Sequence, residues 1–142
     1  MQISSTAFVH QKKMPAKFTC DGLNVSPSLL FSDVPEEAES LVLLMDDPDA
    51  QGWVHWVVYN IDPQGTEVHE DDIPEHGIEA FTSFQTIGYG GACPPNGTHR
   101  YSFRLYALDT HLPFAASEHV DKHMVEAAMQ GHVLAEAELI GL

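Results

Sequence analysis

Two short stretches of this chain hold residue types that bind anions or move protons. The first, Asp46-Asp47-Pro48-Asp49, is followed at a few residues' distance by His55, and it joins an apolar run at Leu41–Met45 to a second at Val54–Ile61. The second begins with Gly88-Tyr89-Gly90-Gly91, passes through Cys93, and delivers His99 and Tyr101 to the head of a run that reaches Leu108. Asp47, Asp49, His55, His99 and Tyr101 therefore offer two carboxylates, two imidazoles and a phenol. Imidazole N–H, phenol and backbone amides donate to an oxyanion, whereas a carboxylate only accepts. The guest that satisfies both kinds of group carries oxygens and a proton, as a monoprotonated phosphate or phosphate ester does. The glycines and prolines of both loops fix the backbone and let a ligand come close.

Each of these residues has a plainer reading. A histidine in a strand is most often a hydrogen-bonded structural residue, and aspartates beside a proline are turn formers that cap nearby N–H groups. Convergence favours a pocket, because both loops feed core strands and each strand presents a histidine near its loop. Asp47, Asp49, His55 and His99 could also make a two-histidine, two-carboxylate metal site, although no HExxH-like pair supports it. The glycine stretch at 88–91 lacks both the lysine of a phosphate loop and the GxGxxG spacing. No GxSxG elbow exists, and Cys93, though near His99 in sequence, sits in no catalytic signature. No activated nucleophile or metal motif emerges, so the chain is expected to be a binding protein without a cofactor. The enzymatic alternative is a weak phosphoester hydrolase that uses His55 or His99 as general acid or base.

Holding these groups together is the task of the surrounding elements. Alternation along Val54–Ile61 predicts His55, Val57, Tyr59 and Ile61 on one face and Val54, Trp56, Val58 and Asn60 on the other, both largely apolar, as in an interior strand. From His99 to Leu108 the same period places His99, Tyr101, Phe103, Leu105 and Ala107 together, with Arg100 pointing the other way. Ile3–Val9, Phe18-Thr19-Cys20, Leu29–Phe31 and Ser83–Ile87 read as short strands, and residues 62–80 as a long acidic loop without a period. A helical period near 118–130 runs from Ser117 as N-cap to Gly131 as stop, with Val120, Met124, Val125, Ala128 and Met129 inward. Residues 132–142 read as a closing strand, against a propensity that favours helix. The sum is one domain, residues 1–142, mostly β: a sandwich with one main C-terminal helix and long loops.

Composition narrows the partners. Six Lys plus Arg against 21 Asp plus Glu give a formal charge of −15, which repels nucleic acid and anionic membrane surfaces. No run approaches the ~18 apolar residues of a membrane helix, and the start MQISSTAFVHQKKMP lacks a basic head followed by an apolar core. A cytoplasmic protein is expected, with Cys20 and Cys93 as reduced thiols.

The runs CDGLNVSP, DPDAQGWVHWVVYN, GYGGACPPNGTHRYSFRLYALD and GHVLAEAELIG, in this order and over nearly the whole chain, resemble the phosphatidylethanolamine-binding protein family in its bacterial, Raf-kinase-inhibitor-like branch. The resemblance implies a β-sandwich with a small pocket at one edge that takes phosphate or a phospholipid headgroup. Residue by residue, it gives that pocket Asp47 and Asp49 of the DPDA element, Trp53 and His55, the lining prolines Pro94 and Pro95, and His99 and Tyr101 of the HRY element. It also implies a homodimer and, from eukaryotic members, an inhibitor of a kinase or protease as the alternative function. Gln51, Ser28 and Ala92 stand where many relatives have proline. A cis bond at Asp47–Pro48 would aim both carboxylates inward. Phosphate affinity should fall between roughly pH 5.5 and 7.5 as His55 and His99 lose protons.

Overall fold

The computed structural model describes residues 1–93, 97–115 and 118–142. In chain order its elements are β1 (Gln2–Ser4), β2 (Leu29–Ser32), β3 (Ser40–Asp47), β4 (Trp53–Ile61), β5 (Glu67–Val68), β6 (Ile78–Glu79), β7 (Tyr101–Leu108), α1 (Lys122–Met129) and β8 (Val133–Gly141). The most apolar run sits deepest: β3 is buried along its whole length. It lies between β4 and β7 in a five-stranded sheet ordered β6-β4-β3-β7-β8, and a three-stranded sheet β1-β2-β5 faces it. Every strand pairing is antiparallel.

Because side chains alternate, β3 supplies two cores. Leu41, Leu43 and Met45 meet Ile3, Leu29, Phe31 and Val68 of the small sheet. Val42 and Leu44 lie on the other face with Val57, Tyr59 and Leu108, under Val125 and Met129 of α1. This is the expected β-sandwich with a single main helix, and the helix covers its outer face.

Strict alternation along β4 fails twice. Leu41 pairs with Ile61 and Leu43 with Val58, so β4 carries an extra residue there. Asn60 absorbs it in a left-handed conformation, φ 56°, while its side-chain amide exchanges hydrogen bonds with the backbone of Leu112. Ile61 consequently shares the inter-sheet core with Trp56 and Val58. At the other end Met45 pairs with Trp56 and Asp46 with Val54, which makes His55 the bulged residue. The bulge turns His55 to the inter-sheet side of the sheet, against Tyr101, and β-bulges commonly re-aim a side chain in this way.

Other expectations are corrected by contacts distant in sequence. Phe18-Thr19-Cys20 is not a strand: Ala16–Phe18 form a 3-10 turn, closed by the Thr19 N–H and hydroxyl on the Ala16 carbonyl. Of Ile3–Val9 only Ile3 and Ser4 are paired with another strand, as part of β1. Ser83–Ile87 is a turn in which Thr82 donates to the Thr86 carbonyl. The acidic segment 62–80 contains β5 and β6, each too short to show a period. The helix starts at Lys122, capped by Asp121, whose carboxylate accepts the Met124 N–H at 3.0 Å; Ser117 lies outside the described residues. Residues 133–141 form the closing strand, where a full antiparallel ladder with β7 outweighs helix propensity. Among the described residues, hydrogen bonds to the outer side of β8 come only near its end, from residues 10–12.

The thiol expectation is overturned as well. Cys20 and Cys93, both exposed, form a disulfide with a Cα–Cα distance of 5.4 Å. Three contacts bring the segments side by side: the Cys20 N–H donates to the Ala92 carbonyl at 3.1 Å, the Tyr89 hydroxyl to the Phe18 carbonyl at 2.8 Å, and the Gly91 N–H to the Asn24 side chain at 2.8 Å. A cysteine count carries none of this. The Asp47–Pro48 bond is trans, since no cis peptide occurs among the described residues; Pro48 opens a 3-10 turn over Pro48–Ala50. No helix among those residues is long and apolar enough to cross a membrane.

Candidate functional site

β3 ends in two adjacent carboxylates that alternation sends to opposite faces. Asp46 and Asp47 are each 3% exposed. Asp46 meets Arg104 at 3.2 Å and Lys122 at 3.0 Å on the helix side, and these cations also reach Glu138 and Glu126. Asp47 faces the other way. One of its oxygens accepts the Asp49 N–H at 2.9 Å, which caps the Pro48–Ala50 turn. The other lies 2.7 Å from Nδ1 of His99.

The second imidazole is fixed by a different partner. Nδ1 of His55 lies 2.6 Å from the Gly90 carbonyl, and the Gly90 N–H donates back to the His55 carbonyl at 2.9 Å. A carbonyl only accepts, so Nδ1 carries the proton and Nε2 of the neutral ring is an acceptor. Burial holds the pKa of His55 below its ordinary 6.5, the Gly90 contact and the Asp47 charge opposing it only in part. Tyr101 stands between the rings, edge-on to His55 at 5.5 Å and stacked at 6.4 Å on His99. Burial, and then the charges of Asp47 and Asp49, push its phenol up to about 12. It is thus a standing donor, yet its hydroxyl is the buried side-chain polar atom that finds no partner among the described residues.

These groups enclose a cavity of about 250 Å³ lined by Asp47, Ala50, Trp53, His55, Phe84, Cys93, His99 and Tyr101. Trp53 and Phe84, 42% and 41% exposed, meet edge to face at 5.5 Å and form its mouth. Five of the residues expected from the sequence, Asp47, Trp53, His55, His99 and Tyr101, are brought together here. Asp49 is not. Its carboxylate takes the Arg100 backbone N–H at 2.8 Å and the guanidinium at 2.8 and 3.1 Å, and those hydrogen bonds lower its pKa to about 2. Arg100, expected to point away, therefore folds back onto the aspartate turn and neutralises it. The same contact removes Asp49 from the four-residue metal set, and the Gly90 bond withdraws Nδ1 of His55. Pro94 and Pro95 lie outside the described residues. Ala50, Phe84 and Cys93 were not anticipated, nor were Asn24 and Tyr89, which hold the glycine loop in place. For Asn24 a signal existed in the CDGLN run; for Phe84 there was none, since its loop has no period.

The sequence profile described as Phosphatidylethanolamine-binding protein matches residues 4–142. The chain belongs to the phosphatidylethanolamine-binding protein family. A UPF0098 protein of Methanothermobacter thermautotrophicus is 46% identical over 149 aligned positions, covering 100% of this chain and 97% of that one. Among solved structures, a phosphatidylethanolamine-binding protein homolog from Chlamydia trachomatis superimposes with a TM-score of 0.92 at 41% identity, over 99% of this chain and 94% of its own. YbcL of E. coli, described as a new member of the mammalian family, gives 0.88 at 29% identity over 99% and 95%. These bacterial and archaeal relatives fit the bacterial branch of the family, and the two solved structures share this fold.

Proposed function

We propose that the cavity binds a small phosphate-bearing anion, as inorganic phosphate, a phosphate ester or a phospholipid headgroup. The observation that carries this reading is the unpartnered, buried Tyr101 hydroxyl beside two imidazoles whose Nδ1 atoms are already engaged. Each ring then has Nε2 free for a guest. With Asp49 matched by Arg100, Asp47 is the one carboxylate lining the cavity, and it favours a monoanion over a dianion. Two lining groups support binding over covalent catalysis: Cys93 is bonded to Cys20 and Tyr101 is held protonated, so neither is an activated nucleophile.

Calorimetric titration with inorganic phosphate and O-phosphoethanolamine tests the reading. Tyr101→Phe and His99→Ala should each weaken binding at least about tenfold, the scale of a lost charge-assisted hydrogen bond. Undiminished affinity in both would sink it. Affinity should fall as pH rises from roughly 5.5 to 7.5, because phosphate's second pKa is about 6. Burial disfavours the charged form of His55, so His55→Ala should change the slope little.

The Asp47–His99 pair supports a second reading, phosphoester hydrolysis with His99 as general acid or base oriented by a carboxylate. Turnover of p-nitrophenyl phosphate that disappears in His99→Ala would establish it. We propose further that the protein is a homodimer without nucleic-acid or membrane partners, and that any control of a kinase or protease runs through protein contact. Sedimentation showing monomer alone at micromolar concentration would exclude the dimer.

A further inference from the structure

We infer that the anion pocket is the polar half of a two-chamber site, and that its guest is a phosphate ester with a compact, uncharged apolar substituent. This rests on the phosphate reading and sharpens it. A larger cavity of about 650 Å³ shares His99 and Tyr101 with the anion pocket as lining residues. Its walls include Met14, Pro15, Ala16, Ala92 and Leu142.

The walls are built, not incidental. The Met14 N–H donates to the Leu142 carbonyl at 2.9 Å and the Leu142 N–H to the Lys12 carbonyl at 3.0 Å, which lays the N-terminal segment along the end of β8. Pro15 then turns the chain into the 3-10 turn at Ala16–Phe18, and the Cys20–Cys93 disulfide fastens that turn to the loop entering the anion pocket. Met14 and Ala92 are 2% and 3% exposed, so the floor belongs to the packed interior.

The polar groups set the chemistry of the substituent. Lys13 and Asp21 both lie on the rim, and together they offer no net charge to a charged group. Apolar walls then favour an apolar one. Tyr101 stands where the chambers meet, and its unpartnered hydroxyl suits an oxygen at that position, as the ester linkage would provide. The volume takes an aryl ring or a short alkyl chain. A pair of long acyl chains would leave most of their surface in water.

The test is calorimetry with inorganic phosphate, O-phosphoserine and phenyl phosphate at one pH and ionic strength, on the intact chain and on Ala16→Trp, which fills the apolar chamber from an exposed turn. Phenyl phosphate should bind about tenfold more tightly than inorganic phosphate, the order expected for taking one ring out of water less its ordering cost. O-phosphoserine, whose substituent is a zwitterion costly to take out of water, should show no gain. In Ala16→Trp the gain should vanish while inorganic phosphate binds as before. Equal affinity for phenyl phosphate and inorganic phosphate overturns the inference and leaves the anion reading standing. So does a gain that survives Ala16→Trp but is lost in Trp53→Ala, which would put the ring at the pocket mouth. If none of the three ligands binds, the anion reading fails and the inference with it.

Discussion

Asp46 and Asp47 are adjacent, identical in type and equally buried, yet they serve opposite purposes. Asp46 lies between two permanent cations, Arg104 and Lys122, and seals the junction of β3 with α1. Asp47 meets the imidazole of His99 at the wall of a cavity. Residue type and burial therefore do not separate scaffold from site. The nature of the partner does, together with whether the group borders space that a ligand can enter.

The largest expected effect is on the scaffold side. Asp46→Ala takes the nearest carboxylate from Arg104 and Lys122, whose side chains are 32% and 21% exposed, and leaves them Glu138 and Glu126 at 3.6 and 3.7 Å. Removing one partner of a buried pair costs about 3–5 kcal/mol, and partial exposure brings the expected loss to roughly 2–4 kcal/mol in urea denaturation. Phosphate affinity of the folded protein should be unchanged. A loss of binding without a loss of stability would reverse the roles assigned to the two carboxylates.

Reduction of Cys20–Cys93 should strike the pocket side alone. The bond spans 73 residues, and opening a loop of that order costs about 2–4 kcal/mol. Thermal melts with and without a phosphine reductant measure the cost. Hydrogen exchange should rise at residues 16–24 and 88–93 and stay constant in α1.

Asp47→Asn should cost less, about 1–2 kcal/mol, because asparagine can still accept the Asp49 N–H. Its mark should be functional, a flatter pH dependence of phosphate binding. An effect on stability as large as that of Asp46→Ala, with an unaltered pH profile, would make Asp47 scaffold as well.

Two smaller effects complete the series. His55 has a folded pKa below the ordinary 6.5, so below that pH the unfolded chain binds the proton first. Stability should therefore fall as pH drops from about 6.5 towards the folded value. His55→Gln should remove that part of the decline in denaturation series at pH 7.5 and 5.5. Arg100→Ala should leave the melting temperature unchanged, since its pairing with Asp49 is solvent-exposed.

What was legible in the sequence was whatever a strand announces locally. Leu41–Met45 and Val54–Ile61 carry apolar runs and His99–Leu108 an alternating one, and the histidines and aspartates at their ends follow from where those patterns start or stop. What was illegible depends on partners far along the chain. The bulge at His55 is set by the register with β3, the turn of Arg100 onto Asp49 spans 51 residues, and the disulfide needs the segments at 20 and 93 already side by side. The helix start was misplaced for a local reason: Ser117 and Asp121 are both good caps, and tertiary packing selects between them.

The outer margin of β8 has a consequence for the protein at high concentration. From Val133 to Leu139 no other segment hydrogen-bonds to that margin among the described residues, and Val133 and Leu134 are exposed. Such a margin is a template on which another copy could add a strand and begin to aggregate. Glu136 and Glu138 sit in the middle of it, on a chain of formal charge −15. The acidic composition that repels polyanions thus also acts as a gatekeeper against edge-to-edge stacking, and that protection lasts while the glutamates stay ionised.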